Sequence, residues 1–241
     1  MEMVVTPEKV LKPVGAGLRV VQGQIGVLGF GTEMFYAFIL IACSLMIYFG
    51  TRELYKLSGH RGIKYFRLSF LFFALAYFFR SFIKFLISSF QIKHILKLLP
   101  FSFGKITLFI FMYFSTLAIL YLLYSIKWKE WDRTKYVKYF LHIISLLFAF
   151  LAIVYQNTTL YIGINIVLFL LVLQTLYQKP KKKKKNNLFF IYVLLSLFWA
   201  LNILDILIPT AFQYFQLLIY LASSFIFLLI LYKVTKNIGS T

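Results

Sequence analysis

Cysteine is almost missing from this chain: Cys43 is the only one in 241 residues. An intramolecular disulfide and a cysteine zinc centre are therefore excluded by count. A lone cysteine inside an apolar stretch reads as a small buried hydrophobe. Acidic groups are nearly as scarce, with 7 Asp and Glu against 26 Lys and Arg, so a chain only 14% charged carries a formal net charge of +19. Its three histidines, His60, His94 and His142, fall at different levels of the chain, and no two have the spacing of helical metal ligands. HExxH, GxSxG, paired aspartates within apolar spans, histidine boxes and a P-loop are all missing. No catalytic residue, metal or cofactor is expected, and a non-enzymatic protein is. The first thirty residues lack the basic start and apolar run of a cleavable signal peptide.

What the chain has in excess is apolar surface. Hydrophobic residues make up 61% and aromatics 20%, against about 45 to 50% apolar in soluble domains. Crossing a bilayer takes about 20 mainly apolar residues, because each backbone polar group must be satisfied within the segment. Seven stretches qualify, near residues 32–50, 68–90, 106–126, 139–155, 160–178, 188–208 and 211–232. The fold class expected is an all-α integral membrane protein built as a bundle of seven transmembrane helices. Residues 1–31 would form a Gly-rich N-terminal segment outside the membrane, 32–232 the helical domain and 233–241 a short cytoplasmic tail.

Cations sort by loop. Arg52, Lys56, Arg61, Lys64 and Arg67 follow the first span; Lys127, Lys129, Arg133, Lys135 and Lys138 the third; Lys179 and Lys181 to Lys185 the fifth; Lys233 and Lys236 the seventh. The alternate loops hold only Lys93, Lys97 and Lys105. Positive-inside bias then puts the N-terminus outside and the C-terminus in the cytoplasm of a cell membrane. The run Lys179, Lys181, Lys182, Lys183, Lys184 and Lys185 is read first as a topology determinant and second as a site for anionic lipid head groups. Lacking aromatic interleaving and lying between spans, it disfavours nucleic acid. Asn157-Thr158-Thr159 matches a glycosylation sequon in a very short turn, and reads as turn and helix-capping chemistry.

Ionisable residues inside apolar spans are costly and mark candidate sites. In the second span Ala76, Tyr77, Arg80, Ser81, Lys84 and Ser88 recur at steps of 3 and 4 and share a helix face. In the sixth, Ser196, Trp199, Asn202 and Asp205 recur every third residue. A rise of about 1.5 Å per residue puts Arg80 near mid-span and Lys84, Asn202 and Asp205 about 6 to 10 Å outward. Asn165 in the fifth span and Glu33 at the start of the first complete an outer set. The expectation is that Arg80 and Lys84 face Asp205 and Asn202 across a polar cavity, with Asn165 and Trp199 beside it. Two cations against one carboxylate would leave surplus positive charge and favour an anion or lipid head group. The plain alternative is a structural ion pair, or Lys84 reaching to the interface.

The outside N-terminus, seven spans, short basic inner loops and the stretch Tyr55 to Tyr77 (YKLSGHRGIKYFRLSFLFFALAY) resemble prokaryotic, archaeal-like seven-helix sensor-type membrane proteins. The resemblance implies ligand or membrane-state sensing with signal passed to the cytoplasm. Only nine residues follow Tyr232, so a separate cytoplasmic or membrane partner subunit is expected to receive the signal. The functional expectation is a receptor, sensor or accessory subunit. A small transporter or anion channel lined by Arg80, Lys84 and Asp205 is the alternative. The composition leaves oligomeric state open.

Overall fold

A computed structural model of the chain describes residues 29–89, 100–131, 136–155, 158–177, 187–207 and 213–238. Within them the backbone forms seven helices: α1 (Gly29–Ser58), α2 (Arg61–Ser89), α3 (Pro100–Trp131), α4 (Val137–Tyr155), α5 (Thr158–Tyr177), α6 (Asn187–Leu207) and α7 (Gln213–Ile238). Five of these, α1 to α4 and α7, are long and apolar enough to cross a membrane; α5 and α6 carry shorter apolar stretches, Ile162–Tyr177 and Phe189–Asp205. The lysine run 179–185 and most of the N-terminal segment 1–31 lie outside the described residues.

Each helix packs on its neighbour in sequence, and α7 closes back on α1. Helix α3 also touches α5, which places it inside the ring. Its residues from Ser115 to Ser125 are buried without a break, the signature of a helix apolar all round and enclosed on every side. Helix α4 is the opposite case. It buries a stripe of Leu141, Ser145, Ala149 and Ala152, the last three small side chains that allow close approach. Ile143, Leu147 and Phe150 on its other side are more than half exposed.

The expected basic inner loops prove largely helical. Helix α1 continues past position 50 to Ser58, α2 starts at Arg61 and α3 runs to Trp131, with non-helical backbone inside it at Lys127 (φ −102°, ψ 18°). Lys, Arg, Glu and Leu are strong helix formers, so nothing in these residues stops the helix where the apolar span stops. What stops α1 is Gly59, at φ 60°. Its N–H closes on the Tyr55 carbonyl at 2.9 Å, while the Ser58 hydroxyl donates to the Leu54 carbonyl at 2.6 Å and accepts from the His60 N–H at 3.3 Å. Left-handed backbone costs other L-residues about 1 to 2 kcal/mol. Gly59→Ala is therefore expected to lower unfolding stability by about 1 kcal/mol. Gly31→Ala, helical and with open space where a Cβ would sit, should leave it unchanged or raise it by up to about 1 kcal/mol. Thermal unfolding of the two detergent-purified variants checks this contrast in sign.

Across the ring, a layer of aromatics divides the bundle. Phe198 and Phe227 are fully buried, with ring centroids 4.5 Å apart, and Phe70 and Phe73 pack around them. On the lower side of this layer, toward the α1–α2 turn, Ser125 and Tyr192 share a hydrogen bond of 3.0 Å. There the Arg67 Nε–H donates to the Tyr48 carbonyl at 3.0 Å, with its guanidinium over the Tyr48 ring. On the upper side, where α1 and α7 begin and α2 and α6 end, lies a second polar group.

Candidate functional site: a charged cluster at the upper end of the bundle

Glu33 sits in the first turns of α1, facing the last turns of α2. Steps of 3 and 4 on both helices bring Glu33 and Ala37 against Tyr77, Arg80, Ser81 and Lys84. The Arg80 Nη2 donates to Glu33 Oε1 at 3.3 Å, and the Lys84 ammonium donates to the same oxygen. The three side chains are 19 to 23% exposed. The Arg80 guanidinium also lies 5.2 Å from the centre of the Phe111 ring on α3, close enough for cation–π attraction.

The cluster continues through hydroxyls and amides. The Tyr77 hydroxyl donates to Asn202 Oδ1 at 2.8 Å, joining α2 to α6, and the Asn202 amide donates back to the Phe198 carbonyl at 3.0 Å. Tyr36 of α1 stacks on Tyr220 of α7 at 4.5 Å and meets Tyr77 edge-on at 6.0 Å. Gln216 donates to the Tyr220 hydroxyl at 3.1 Å. Asp205 of α6 lies within electrostatic range of Arg80, Lys84, Glu33 and Tyr220. Among the described residues its Oδ1 is buried without a hydrogen-bond partner.

The predicted residues are thus placed as follows. Arg80 and Lys84 share one carboxylate, and that carboxylate belongs to Glu33 of α1. Glu33 meets these cations because α1 packs on α2, and Asp205 of α6 lies within electrostatic range of both. Asn202 is held by Tyr77 and Asp205 stands nearby. The charge balance changes with this, from two cations against one carboxylate to two against two. Asn165 and Trp199 form a separate link, the Trp199 Nε1–H donating to the Asn165 carbonyl at 3.2 Å and tying α6 to α5. Lys179, Lys181, Lys182, Lys183, Lys184 and Lys185 lie outside the described residues.

The open space beside the triad is small. A cavity of about 10 Å³ is lined by Glu33, Tyr36, Tyr77, Arg80 and Lys84 together with Phe30 and Met34, room for about one water molecule. The Glu33 carboxylate itself fills the position between the two cations.

A second polar arrangement escaped the sequence reading. His142 of α4 is gripped by both ring nitrogens: the Tyr113 hydroxyl is 2.8 Å from Nδ1 and the Tyr121 hydroxyl 3.1 Å from Nε2. A neutral imidazole donates at one nitrogen and accepts at the other, so one phenol accepts and the other donates. The only available signal was the eight-residue spacing of Tyr113 and Tyr121 on α3, lost among 17 tyrosines. Replacing His142 with leucine strands both hydroxyls at the α3–α4 seam. A loss of about 2 to 3 kcal/mol is expected, and His142→Gln should recover part of it in chemical denaturation.

Fold and site together define a class: an all-helical protein of seven described helices, with a charged cluster joining α1 to α2 and reaching α6 and α7 at one end. No family model matches the chain, and no solved structure does. An uncharacterised protein of the archaeon Archaeoglobus fulgidus is similar to it, 33% identical over 107 residues. That match covers 42% of this chain and 45% of the relative, so it spans less than half of either.

Proposed function

We propose that this chain is a non-enzymatic multi-pass protein of the cell membrane, acting as a receptor, sensor or accessory subunit whose Arg80–Lys84 pair receives an anion. The observation that carries the reading is the convergence of both cations on one carboxylate oxygen at the upper end of the bundle. Charges in such a setting are retained at a cost and by default mark a site. The lower end supports the orientation, with the upper end outside. Arg52, Lys56, Arg61 and Lys64 cluster there with Lys127, Lys129, Lys138, Lys233 and Lys236, the cationic excess that positive-inside bias assigns to the cytoplasm. Exposed Tyr136, Tyr139, Tyr177 and Tyr232 at that end fit an aromatic belt. A signal leaving the site would travel along α1 and α2 to this basic face, where anionic lipids or a separate partner subunit would meet it.

The second reading is a small transporter or anion channel using Arg80, Lys84 and Asp205. The aromatic layer of Phe70, Phe73, Phe198 and Phe227 lies across the route between the two polar halves, which favours the receptor. The test is thermal unfolding of the purified protein with added phosphate, simple carboxylates and anionic amphiphiles, for the parent, Arg80→Gln and Lys84→Gln. Stabilisation by at least one anion that both substitutions abolish is the expected result. A response equal in all three proteins would sink the site, and anion flux into proteoliposomes would move the assignment to transport.

A further inference from the structure

Resting on the anion-receptor reading above, we propose that the anion is the head group of an amphiphile arriving from the surrounding lipid, with Glu33 as its built-in competitor. The triad lies in the seam between α1 and α2, and the residues bordering that seam on the outside are apolar. At 100° per residue, Phe78 and Phe85 lie about a quarter turn from the Tyr77–Arg80–Ser81–Lys84 face of α2, and Phe82 follows them. On α1, Met34 and then Phe38 lie beyond Glu33 and Ala37 in the same sense. Phe78, Phe82 and Phe85 are 43 to 45% exposed and Phe38 is 67% exposed. The Phe78 and Phe82 rings are stacked 5.5 Å apart, forming a flat wall. A soluble anion finds only a water-sized gap at the triad. An amphiphile has a second means of attachment, since its chain can lie along this wall while its head group meets the cations.

Charge complementarity selects an anionic head. Arg80 and Lys84 both pair with Glu33 Oε1, so a carboxylate or phosphate that displaces Glu33 inherits a two-cation seat. Displacement frees the start of α1 from α2, which gives binding a mechanical consequence. It also fixes an unusual sign: removing the Glu33 charge weakens the helix pair yet strengthens ligand binding. Loss of a charged hydrogen-bonding competitor corresponds to about tenfold in affinity.

The experiment uses the full chain in detergent and in nanodiscs. Half-saturation of thermal stabilisation is measured for dodecanoate below its micelle concentration, with acetate and inorganic phosphate as unanchored head groups. A parallel arm compares nanodiscs of neutral lipid with nanodiscs doped with phosphatidylglycerol, separating a fatty carboxylate from a phospholipid as the source. Dodecanoate or phosphatidylglycerol should stabilise where acetate and phosphate at equal concentration do not. Glu33→Gln should lower the half-saturation concentration about tenfold, and Arg80→Gln should remove the response. Lys84→Gln, the milder change, keeps the test valid if Arg80→Gln fails to fold. Stabilisation by acetate or phosphate alone overturns this inference and leaves the anion site standing. An amphiphile response that survives Lys84→Gln, or an affinity that falls in Glu33→Gln, also overturns it. Silence from every anion removes both readings.

Discussion

Arg80→Gln is expected to lower unfolding stability by about 2 to 3 kcal/mol. Removing one partner of a buried ion pair costs more than the pair contributes net, because the remaining charge keeps its desolvation penalty without its compensation. Glu33 would retain Lys84 alone, and the Phe111 ring would lose the guanidinium 5.2 Å from its centre. Partial exposure of the triad, 19 to 23%, holds the figure at or just below the bottom of the range of about 3 to 5 kcal/mol for fully buried pairs. The double variant with Glu33→Gln should then fall short of the sum of the singles by about 1 to 2 kcal/mol, since the two side chains touch. Chemical denaturation of the four proteins in one detergent gives this coupling directly. An Arg80→Gln protein as stable as the parent would mean that the ion pair does not hold α1 to α2.

Phe227→Ala should cost still more, about 3 to 5 kcal/mol. The ring has no exposed surface and meets Phe198 at 4.5 Å, Phe70 at 6.3 Å and Phe73 at 6.4 Å. Its removal leaves a void bounded by rigid rings from α2 and α6 that cannot collapse into it, and the cost of such substitutions grows with the cavity that remains. Phe225, two residues away and 60% exposed, is the control: Phe225→Ala should cost under about 1 kcal/mol. Equal losses at the two positions would show that the aromatic layer is not the packed centre of the bundle.

The helices were readable because a long apolar run can satisfy its backbone only as a helix. The seven expected stretches correspond to α1 to α7, five of which are long and apolar enough to cross a membrane, with ends displaced wherever strong helix formers such as Glu53 to Lys56 carried the helix beyond its apolar part. The shared face of Tyr77, Arg80 and Lys84 was equally readable, since helical periodicity fixes it within one element. Which carboxylate those cations would meet was not. Glu33 lies 47 positions from Arg80, and no periodicity links separate helices. Asp205 looked the better partner because it shares a depth with Lys84, but depth does not specify which helices are neighbours. The His142 clamp stayed hidden for the same reason: Tyr113 and Tyr121 acquire meaning only when α4 lies against α3.

By itself, then, the sequence determined an apolar, cation-rich, all-helical chain and the residues that share each helix face, because composition and local periodicity act within single segments. The tertiary structure alone decided that α3 is enclosed, that Glu33 seats between Arg80 and Lys84, and that phenylalanines from three helices form one layer. Those outcomes depend on which faces pack together, and packing is a property of pairs of helices that no single segment encodes.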